Sequence, residues 1–511
     1  MPTMQVEEDS PATGVMRKFW LRRRWLAGEW IGILLLSVLG FLVMGYHPGL
    51  EDDGIYLAAV KADLNPALFP HDSDFFRLQL QATLFDGGMA HFVRWTGIPV
   101  AWAELLWQWI ALFLIVLAVK KIANHFFAEA TARWCGTALV AAMLTLPVAG
   151  TALYLLDQHL HPRNLATALI LLAVWRILEE KRWQAAPLLL LAFVLHPLMA
   201  AMGISFCFFL SLSREESVVT FVRSWRSSAA AAIPLAWIFE PPDAAWRKAL
   251  DTRTYYYLFK WTWYEWLGAL VPLILFWLLW RVARRQGDKR LSRFAAVVFS
   301  YGVFHQILAM SMLCSPALVR LTPLQPMRYL HMIYFLMMLV AGCLLGKYLL
   351  QRHVWRWVVF LLAVNGGMLV AQRVEFSGSR HLELPAIPPA NPWLQAFDWI
   401  RTNTPVNAYF ALDPHYMEAE GEDYHSFRAL AERSQLADAV KDAAVVTQVP
   451  ELGVAWDRQV SAQQGWQNFT RTDFVRLKAL YGVDWVLVAY PQTPGLACPW
   501  HNQQLAVCQI P

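Results

Sequence analysis

Residues 25–53 read WLAGEWIGILLLSVLGFLVMGYHPGLEDD, a long apolar run that ends in three consecutive acids. A helix that crosses a bilayer needs about 20 mainly apolar residues, and this run supplies them. It is too long for a removed signal peptide and lacks a small-residue cleavage site. We therefore expect a retained first membrane span near 25–46, with Glu51, Asp52 and Asp53 at its mouth.

The composition places the whole chain in the same class. Of its 511 residues, 57% are hydrophobic and only 16% are charged, whereas an average soluble protein has about 25% charged residues. The 26 tryptophans are typical of a chain with many membrane–water interfaces. These features exclude a soluble enzyme and predict an α-helical polytopic membrane protein. The net charge of +5 is explained by membrane orientation, and no nucleic-acid partner is expected.

The positions of Lys and Arg orient the spans, because short cytoplasmic loops carry the excess of positive charge. Residues 1–24 are expected in the cytoplasm, and the acidic loop 47–97 is expected outside. The predicted spans lie near 25–46, 98–119, 135–155, 165–178, two within 185–212, 228–239, 265–281, 294–313, 331–350 and 355–372. Eleven spans, an odd number, place the C-terminus outside.

Residues 185–212 allow two interpretations. One long span would put the basic cluster at 281–293 on the outside, against the charge rule. Two short helices that turn at His196–Pro197 keep every later basic cluster inside. Proline disfavours helical geometry at the residue before it, which supplies the turn. We therefore expect a helical hairpin here.

The last part of the chain has a different character. Residues 373–391 form a proline-rich linker, and residues 392–511 are expected to form a small α/β domain outside the cytoplasm. Residues 471–490 predict a helix followed by a buried strand, and 505–510 a final strand. In an oxidising compartment Cys498 and Cys508 could pair. Two unpaired thiols are the alternative, since strand geometry can hold them apart.

The order of these features resembles the GT-C glycosyltransferase superfamily. EDD at 51–53 stands where that family has a catalytic carboxylate in the first external loop. DQHLHPR at 157–163 stands where it has a second acidic motif, with His159 where a second Asp is often found. The resemblance covers residues 25–372 and implies a membrane glycosyltransferase. Such an enzyme moves a sugar from a polyprenyl-phosphate carrier to an extracytoplasmic acceptor, here at the bacterial inner membrane with a periplasmic C-terminal domain.

Sugar transfer needs a base for the acceptor proton and positive groups for the leaving phosphate. We expect Asp53 to be the base, with Asp52 as a close alternative and Glu51 as a neighbour that raises the pKa of the base by like-charge repulsion. Acids that merely keep the loop solvated are the plain alternative. The candidate carrier-binding residues in external turns are Asp157, His159, His161, Arg163, Arg320 and Arg328. If a divalent metal takes part, Asp157 and His159 are its candidate ligands; no other cofactor is indicated.

Two other functions fit the same composition. One is a transporter or flippase of a lipid-linked molecule, and the other is a non-catalytic membrane scaffold. Transporters usually contain repeated broken helices, and this chain has one broken hairpin with no counterpart in its second half. The expected partners are the lipid bilayer, a polyprenyl-phosphate-linked sugar and a cell-envelope protein or glycan acceptor.

Overall fold

The computed structural model describes residues 11–213, 243–314, 316–419, 421–491 and 495–511. Within them the chain is mostly helical and ends in a small sheet domain. The helices of the first part are α1 (Pro11–Met44), α2 (Asp53–Leu64), α3 (Asp74–Leu80), α4 (Phe85–Thr96), α5 (Val100–Phe126), α6 (Ala130–Ala142), α7 (Pro162–Leu178), α8 (Arg182–Leu195), α9 (Pro197–Leu212), α10 (Ala244–Asp251), α11 (Trp263–Arg285), α12 (Lys289–Leu313), α13 (Tyr329–Leu345) and α14 (Val354–Glu375).

Several of these helices can cross a membrane, and the chain is an integral membrane protein. Among the described residues, five helical segments are long and apolar enough: Val100–Phe126, Trp263–Arg285, Lys289–Leu313, Ala317–Leu350 and Val354–Glu375. Shorter apolar helices cover Gly28–Met44, Arg182–Leu195 and Pro197–Leu212. The total of eleven spans stays a prediction, and the span expected near 228–239 lies outside the described residues.

The predicted hairpin is confirmed as two helices. Helix α8 ends at Leu195, His196 separates it from α9, and Pro197 is the first residue of α9. A proline at this position is favourable, because its missing N–H would have no partner in the first helical turn. The side chain of His196 accepts a hydrogen bond from the N–H of Met199 and caps the new helix.

The third predicted span differs from the structure. Helix α6 ends at Ala142, and the chain then forms a short antiparallel pair of strands, β1 (Pro147–Val148) and β2 (Leu153–Tyr154). Gly150 in the turn has a φ of +62° and packs against the ring of Trp261, so a side chain here would be strained and would collide. Helix α6 therefore ends well before residue 155, where the third span was expected to end.

The C-terminal domain has a mixed five-stranded sheet. Its strands are β3 (Tyr409–Ala411), β4 (Ser434–Gln435), β5 (Trp485–Ala489), β6 (Ala497–His501) and β7 (Leu505–Gln509), in the order β4-β3-β5-β7-β6. Strand β3 is parallel to β4 and β5, whereas β7 is antiparallel to β5 and β6. Its helices are α15 (Pro392–Asn403), α16 (Phe427–Ala431), α17 (Lys441–Gln448), α18 (Gly453–Ala462) and α19 (Arg471–Tyr481).

Buried aromatic and aliphatic residues hold this domain together, and the predicted disulfide is present. Phe397, Phe410 and Phe427 pack on one face of the sheet, and Phe474 and Leu477 pack on the other. Cys498 on β6 is bonded to Cys508 on β7. The predicted helix and strand in 471–490 and the predicted final strand are confirmed.

The C-terminal domain docks on the first acidic loop. The N–H of Ser426 donates to the carbonyl of Gly49 at 2.7 Å, and Lys61 Nζ lies 2.7 Å from a carboxylate oxygen of Glu432. Gly49 has a φ of +81° and lies against Leu430, and a Cβ on Gly54 would lie 2.3 Å from Ser426 Oγ. Glycine at both positions therefore lets the two backbones approach, and the loop and the domain form one layer at the same end of the helices.

This arrangement, combined with the charge bias, predicts the orientation of the chain. A phosphatase reporter that is active only outside the cytoplasm should be active when fused after Pro511 and silent when fused after Gly287, which lies between α11 and α12. A fluorescent reporter that matures only in the cytoplasm is the control and should give the opposite pattern. An active phosphatase at Gly287, or a silent one at Pro511, would contradict the orientation.

Candidate functional site

A cavity of about 350 Å³ lies between the acidic loop, the turn of the α8–α9 hairpin and the C-terminal domain. Its charged and polar lining comes from segments that are far apart in the sequence. The charged, amide, imidazole and phenol side chains of the lining include Asp52, Tyr56, His161, Arg163, His196, Tyr255, Tyr256, Gln325, Arg328 and Gln448. The turn of the hairpin thus faces the same cavity as the acids of the first loop.

The three consecutive acids point in different directions. Asp52 is half-buried and lines the cavity, whereas Asp53 is 2% exposed and turns inward. One carboxylate oxygen of Asp53 accepts a hydrogen bond from the N–H of Gly49 at 2.8 Å. Burial and then the nearby carboxylate of Glu104 hold the pKa of Asp53 well above its usual value. Asp53 is therefore buried and does not line the cavity, whereas Asp52 is the acid that lines it.

Positive and neutral donors surround Asp52. Its Oδ1 lies 3.2 Å from Lys441 Nζ, which also lies 3.0 Å from Glu51 Oε2. Its Oδ2 lies 3.2 Å from His161 Nε2. Burial raises the pKa of Asp52, but the charge of Lys441 and the hydrogen bond from His161 outweigh it and hold that pKa well below its usual value. The expectation that Glu51 raises the pKa of the base is therefore not met at Asp52.

The ring of His161 has one defined role for each nitrogen. Its Nδ1 accepts a hydrogen bond from the N–H of Arg163 at 2.9 Å and so caps the start of α7. Burial, with the positive charge of Arg163, lowers the pKa of His161 to about 4, so the ring is neutral at physiological pH. A neutral ring whose Nδ1 accepts must carry its proton on Nε2. His161 therefore donates to Asp52.

Asp157 and Arg163 form a buried pair behind this cavity. Arg163 Nε donates to one oxygen of Asp157 at 2.9 Å, and its terminal nitrogen donates to the other at 2.7 Å. The backbone carbonyl of Asp157 accepts from Gln108 of α5 at 2.6 Å. Burial raises the pKa of Asp157, but Arg163 outweighs it and holds that pKa well below its usual range. The pair ties the turn at Asp157 to α7, and the bond from Gln108 ties the same turn to α5.

Of the two later arginines, one faces the cavity. Arg328 Nε donates to Gln325 Oε1 at 2.6 Å, and Gln325 Nε2 donates to the hydroxyl of Tyr256 at 2.8 Å. Arg328 itself lines the cavity. Arg320 lies in the 3-10 segment Pro316–Leu324 and does not belong to the cavity lining. The structure thus brings Asp52, His161, Arg163 and Arg328 together.

The predicted metal ligands do not fit a metal in this geometry. Both oxygens of Asp157 accept from Arg163, so a metal at this carboxylate would share it with a positively charged guanidinium group. His159 is buried, and neither of its ring nitrogens has a partner. Across the described ranges, no group of three or more His, Cys, Asp and Glu side chains is arranged to hold a metal ion.

Lys441 is the functional residue that sequence reasoning missed. It lies 390 positions after Glu51, at the start of α17, in a domain that was expected only to follow the membrane part. Nothing local to Lys441 signals a site; only the docking of the domain brings its ammonium group to the acids. His196 was noted for its turn, and its place in the cavity follows from the hairpin that Pro197 produces.

Comparisons with known proteins gave structural matches only. No protein-family model and no curated protein matches the sequence. Among the solved structures it is similar to the Archaeoglobus fulgidus oligosaccharyltransferase in its apo form (11% identity, TM-score 0.47, 92% of this chain and 70% of that one). It is also similar to that protein with Zn and sulfate (12%, 0.44, 90% and 68%). A third match is archaeal AglB from the same organism with an inhibitory peptide and a dolichol-phosphate (11%, 0.44, 92% and 70%).

The buried pair of Asp157 and Arg163 gives a stability prediction. Arg163→Met should destabilise the protein by about 3–5 kcal/mol, because it leaves a buried carboxylate without a partner. The loss of unfolding free energy should become smaller as the pH falls, since protonation of Asp157 removes the unpaired charge. Thermal unfolding in detergent measures both effects.

The matched control for this pair is the double variant Arg163→Met with Asp157→Asn. It removes both charges together and should recover much of the lost stability. A single variant as stable as the parent protein, or a double variant less stable than the single one, would contradict this account of the pair.

Proposed function

We propose that this protein is a membrane glycosyltransferase that moves a sugar from a polyprenyl-phosphate carrier to an extracytoplasmic acceptor. The observation that carries the proposal is the pairing of opposite charges in one cavity. Asp52 lines it together with Arg328 and Arg163, at the end of apolar helices where a lipid head group arrives. A carboxylate and guanidinium groups are the two kinds of group that transfer from a lipid phosphate requires.

Asp52 acts as the base in this proposal. Its depressed pKa keeps it ionised across the physiological range, so it is ready to accept a hydrogen bond from the acceptor hydroxyl or amine. As the acceptor atom bonds to the anomeric carbon it gains positive charge, and its proton becomes acidic. Even a weakly basic carboxylate then takes that proton late in the reaction.

Arg328 binds the phosphate that leaves. Its Nε is held by Gln325, which fixes the plane of the guanidinium group while the terminal nitrogens remain available. Guanidinium groups bind phosphate through paired hydrogen bonds and stabilise the negative charge that develops on it. Arg163 adds positive potential to the cavity, and two of its nitrogens donate to Asp157.

His161 and Lys441 are positioning residues. The Nε2–H of His161 and the ammonium group of Lys441 each hold one oxygen of Asp52, so the carboxylate cannot rotate freely. In a direct displacement the acceptor attacks on one face of the sugar while the phosphate leaves from the other, so the proposed transfer inverts the anomeric carbon.

The two alternative functions explain less of the cavity. A transporter of a lipid-linked molecule needs a site for the phosphate, which Arg328 supplies, but it needs no ionised carboxylate fixed by a histidine and a lysine. A scaffold needs neither. The arrangement of His161, Asp52 and Lys441 therefore favours the enzyme.

The two neighbouring aspartates give a sharp test. Asp52→Asn should lower turnover by about 10²- to 10⁴-fold, the typical effect of losing a general base. Asp53→Asn is the matched control and should stay within about threefold of the parent, far from the effect of losing a general base, because Asp53 is buried and does not line the cavity. Turnover is measured with a cell-envelope extract as the acceptor. Lipid mass spectrometry records how fast the polyprenyl-phosphate sugar donor is consumed. Full activity of Asp52→Asn would refute the assignment.

Lys441 gives a pH prediction. In the parent protein the pKa of Asp52 is depressed, so turnover should not fall on mild acidification. Lys441→Met removes the largest of the contributions that lower this pKa, so the pKa rises and the acid limb of the rate profile moves to higher pH. Turnover is therefore measured between about pH 4.5 and pH 7.5. At the acid end of this range it should fall in Lys441→Met and stay constant in the parent protein.

Lys441→Arg keeps the positive charge and serves as the control, with a profile like that of the parent. An unchanged profile in Lys441→Met, with the protein still folded, would show that Lys441 does not act through Asp52.

A further inference from the structure

A second cavity, of about 530 Å³, lies within the C-terminal domain and away from the lining residues of the proposed active site. It is within the range of about 300–1,000 Å³ that is usual for small-molecule sites. Its lining residues are Trp393, Asp413, Tyr416, Ala419, Trp466, Gln467, Asn468, Phe469, Phe474, Leu487, Val488, Ala489 and Leu505. The domain therefore has a recess that the proposed transfer reaction does not use.

The position of this cavity in the sheet is one that favours ligand binding. The chain leaves β3 to form β4 on one side, and then crosses over to form β5 on the other side of β3. The carboxyl ends of β3 and β5 therefore flank a point where the strand order reverses. Asp413 follows β3, and Val488 and Ala489 end β5. In open α/β sheets, ligands bind in the crevice at such a point.

Aromatic rings form the wall of this cavity and fix one another in place. The rings of Trp393 and Tyr416 have centroids 5.8 Å apart, and those of Trp466 and Phe474 have centroids 5.2 Å apart. Phe469 packs on Trp466 at 5.4 Å. Rings held in this way are preorganised, so little conformational entropy is lost when a ligand packs against them. The apolar C–H face of a pyranose ring is the kind of surface that packs on such a wall.

The polar groups at the rim suit hydroxyl groups. The side chains of Gln467 and Asn468 are exposed beside Trp466, in a turn that starts at Gly465 with a φ of +77°. Asp413 Oδ1 accepts from the N–H of His415 at 2.9 Å, which orients the carboxylate. Amides donate and accept and a carboxylate accepts, which is the pattern that vicinal sugar hydroxyls need.

The charge of the lining selects among ligands. The described residues that line this cavity include one carboxylate and no Lys, Arg or His. An anionic ligand, such as a phosphate or an acidic sugar, would meet Asp413 with no compensating positive group. The cavity at Asp52 contrasts with this one, because Arg163 and Arg328 line it.

We propose that the C-terminal domain binds a neutral saccharide in this second cavity. The inference goes beyond the proposed function, and its test requires no transfer activity. The pocket also neighbours the element that carries Lys441, because the carbonyl of Pro414 accepts from the N–H of Ala439 at 2.8 Å. A saccharide held here is therefore held by the domain that closes the cavity at Asp52.

The test is direct binding to the full-length protein in lipid nanodiscs. The probes are chitotetraose, cellotetraose, maltotetraose and mannotetraose, with tetragalacturonic acid as the acidic counterpart. Saturation-transfer NMR identifies binders, and calorimetry measures Kd. At least one neutral tetrasaccharide should bind, and tetragalacturonic acid should not. Failure of all the neutral probes, or equal binding of the acidic one, would overturn the proposal.

Variants then locate the binding. Gln467→Ala with Asn468→Ala should weaken it by about tenfold, the effect of losing two hydrogen bonds; both side chains are exposed, so folding is preserved. Gln464→Ala, an exposed amide outside the lining, is the matched control and should bind like the parent. Asp52→Asn should also bind like the parent, which separates this site from the proposed reaction. Unchanged affinity in the double variant would place the saccharide elsewhere and overturn the assignment.

Discussion

Ionised groups buried at one end of a helical membrane domain must be paired, and the pair of Asp157 and Arg163 is the constraint on which the site depends. An isolated buried charge is strongly unfavourable, so the two side chains hold each other through both carboxylate oxygens. Through the same contact the turn that contains Asp157 is fixed to α7, and the N–H of Arg163 fixes His161. The orientation of His161 in turn fixes one oxygen of Asp52.

The second support of Asp52 comes from the other end of the chain. The C-terminal domain docks on the first acidic loop through backbone hydrogen bonds and the pair of Lys61 and Glu432. This docking carries Lys441 to Glu51 and Asp52. The helical part and the C-terminal domain therefore each contribute one of the two groups that hold the proposed base.

The sequence predicted the features that local chemistry determines. Apolar length predicted the long helices that can cross a membrane, and Pro197 predicted the hairpin. Two cysteines ten residues apart in a polar tail offered the disulfide as one of two alternatives, and the structure has it. The end of α6 was misplaced, because the apolar run continues past Ala142 while Gly150 and the strand pair change its conformation. Apolar length alone does not distinguish a span from a shorter helix followed by a turn.

The site was harder to predict than the fold for a physical reason. Asp52 and Asp53 are adjacent and chemically identical, and the contacts of Asp53 with Gly49 and Glu104 decide which of them turns inward. Lys441 and Arg328 are ordinary basic residues until the tertiary structure brings them to the cavity. Residue type and distance from a span could therefore name the group of candidates, but tertiary contacts were needed to rank them.

The most direct measurement is a structure with a nonhydrolysable polyprenyl-phosphonate sugar bound to the protein in nanodiscs. The account predicts that the phosphonate oxygens lie within hydrogen-bond distance of Arg328, with the anomeric carbon facing the carboxylate of Asp52. A head group bound at the opposite end of the helices, or in the cavity with its sugar turned away from Asp52, would contradict the account.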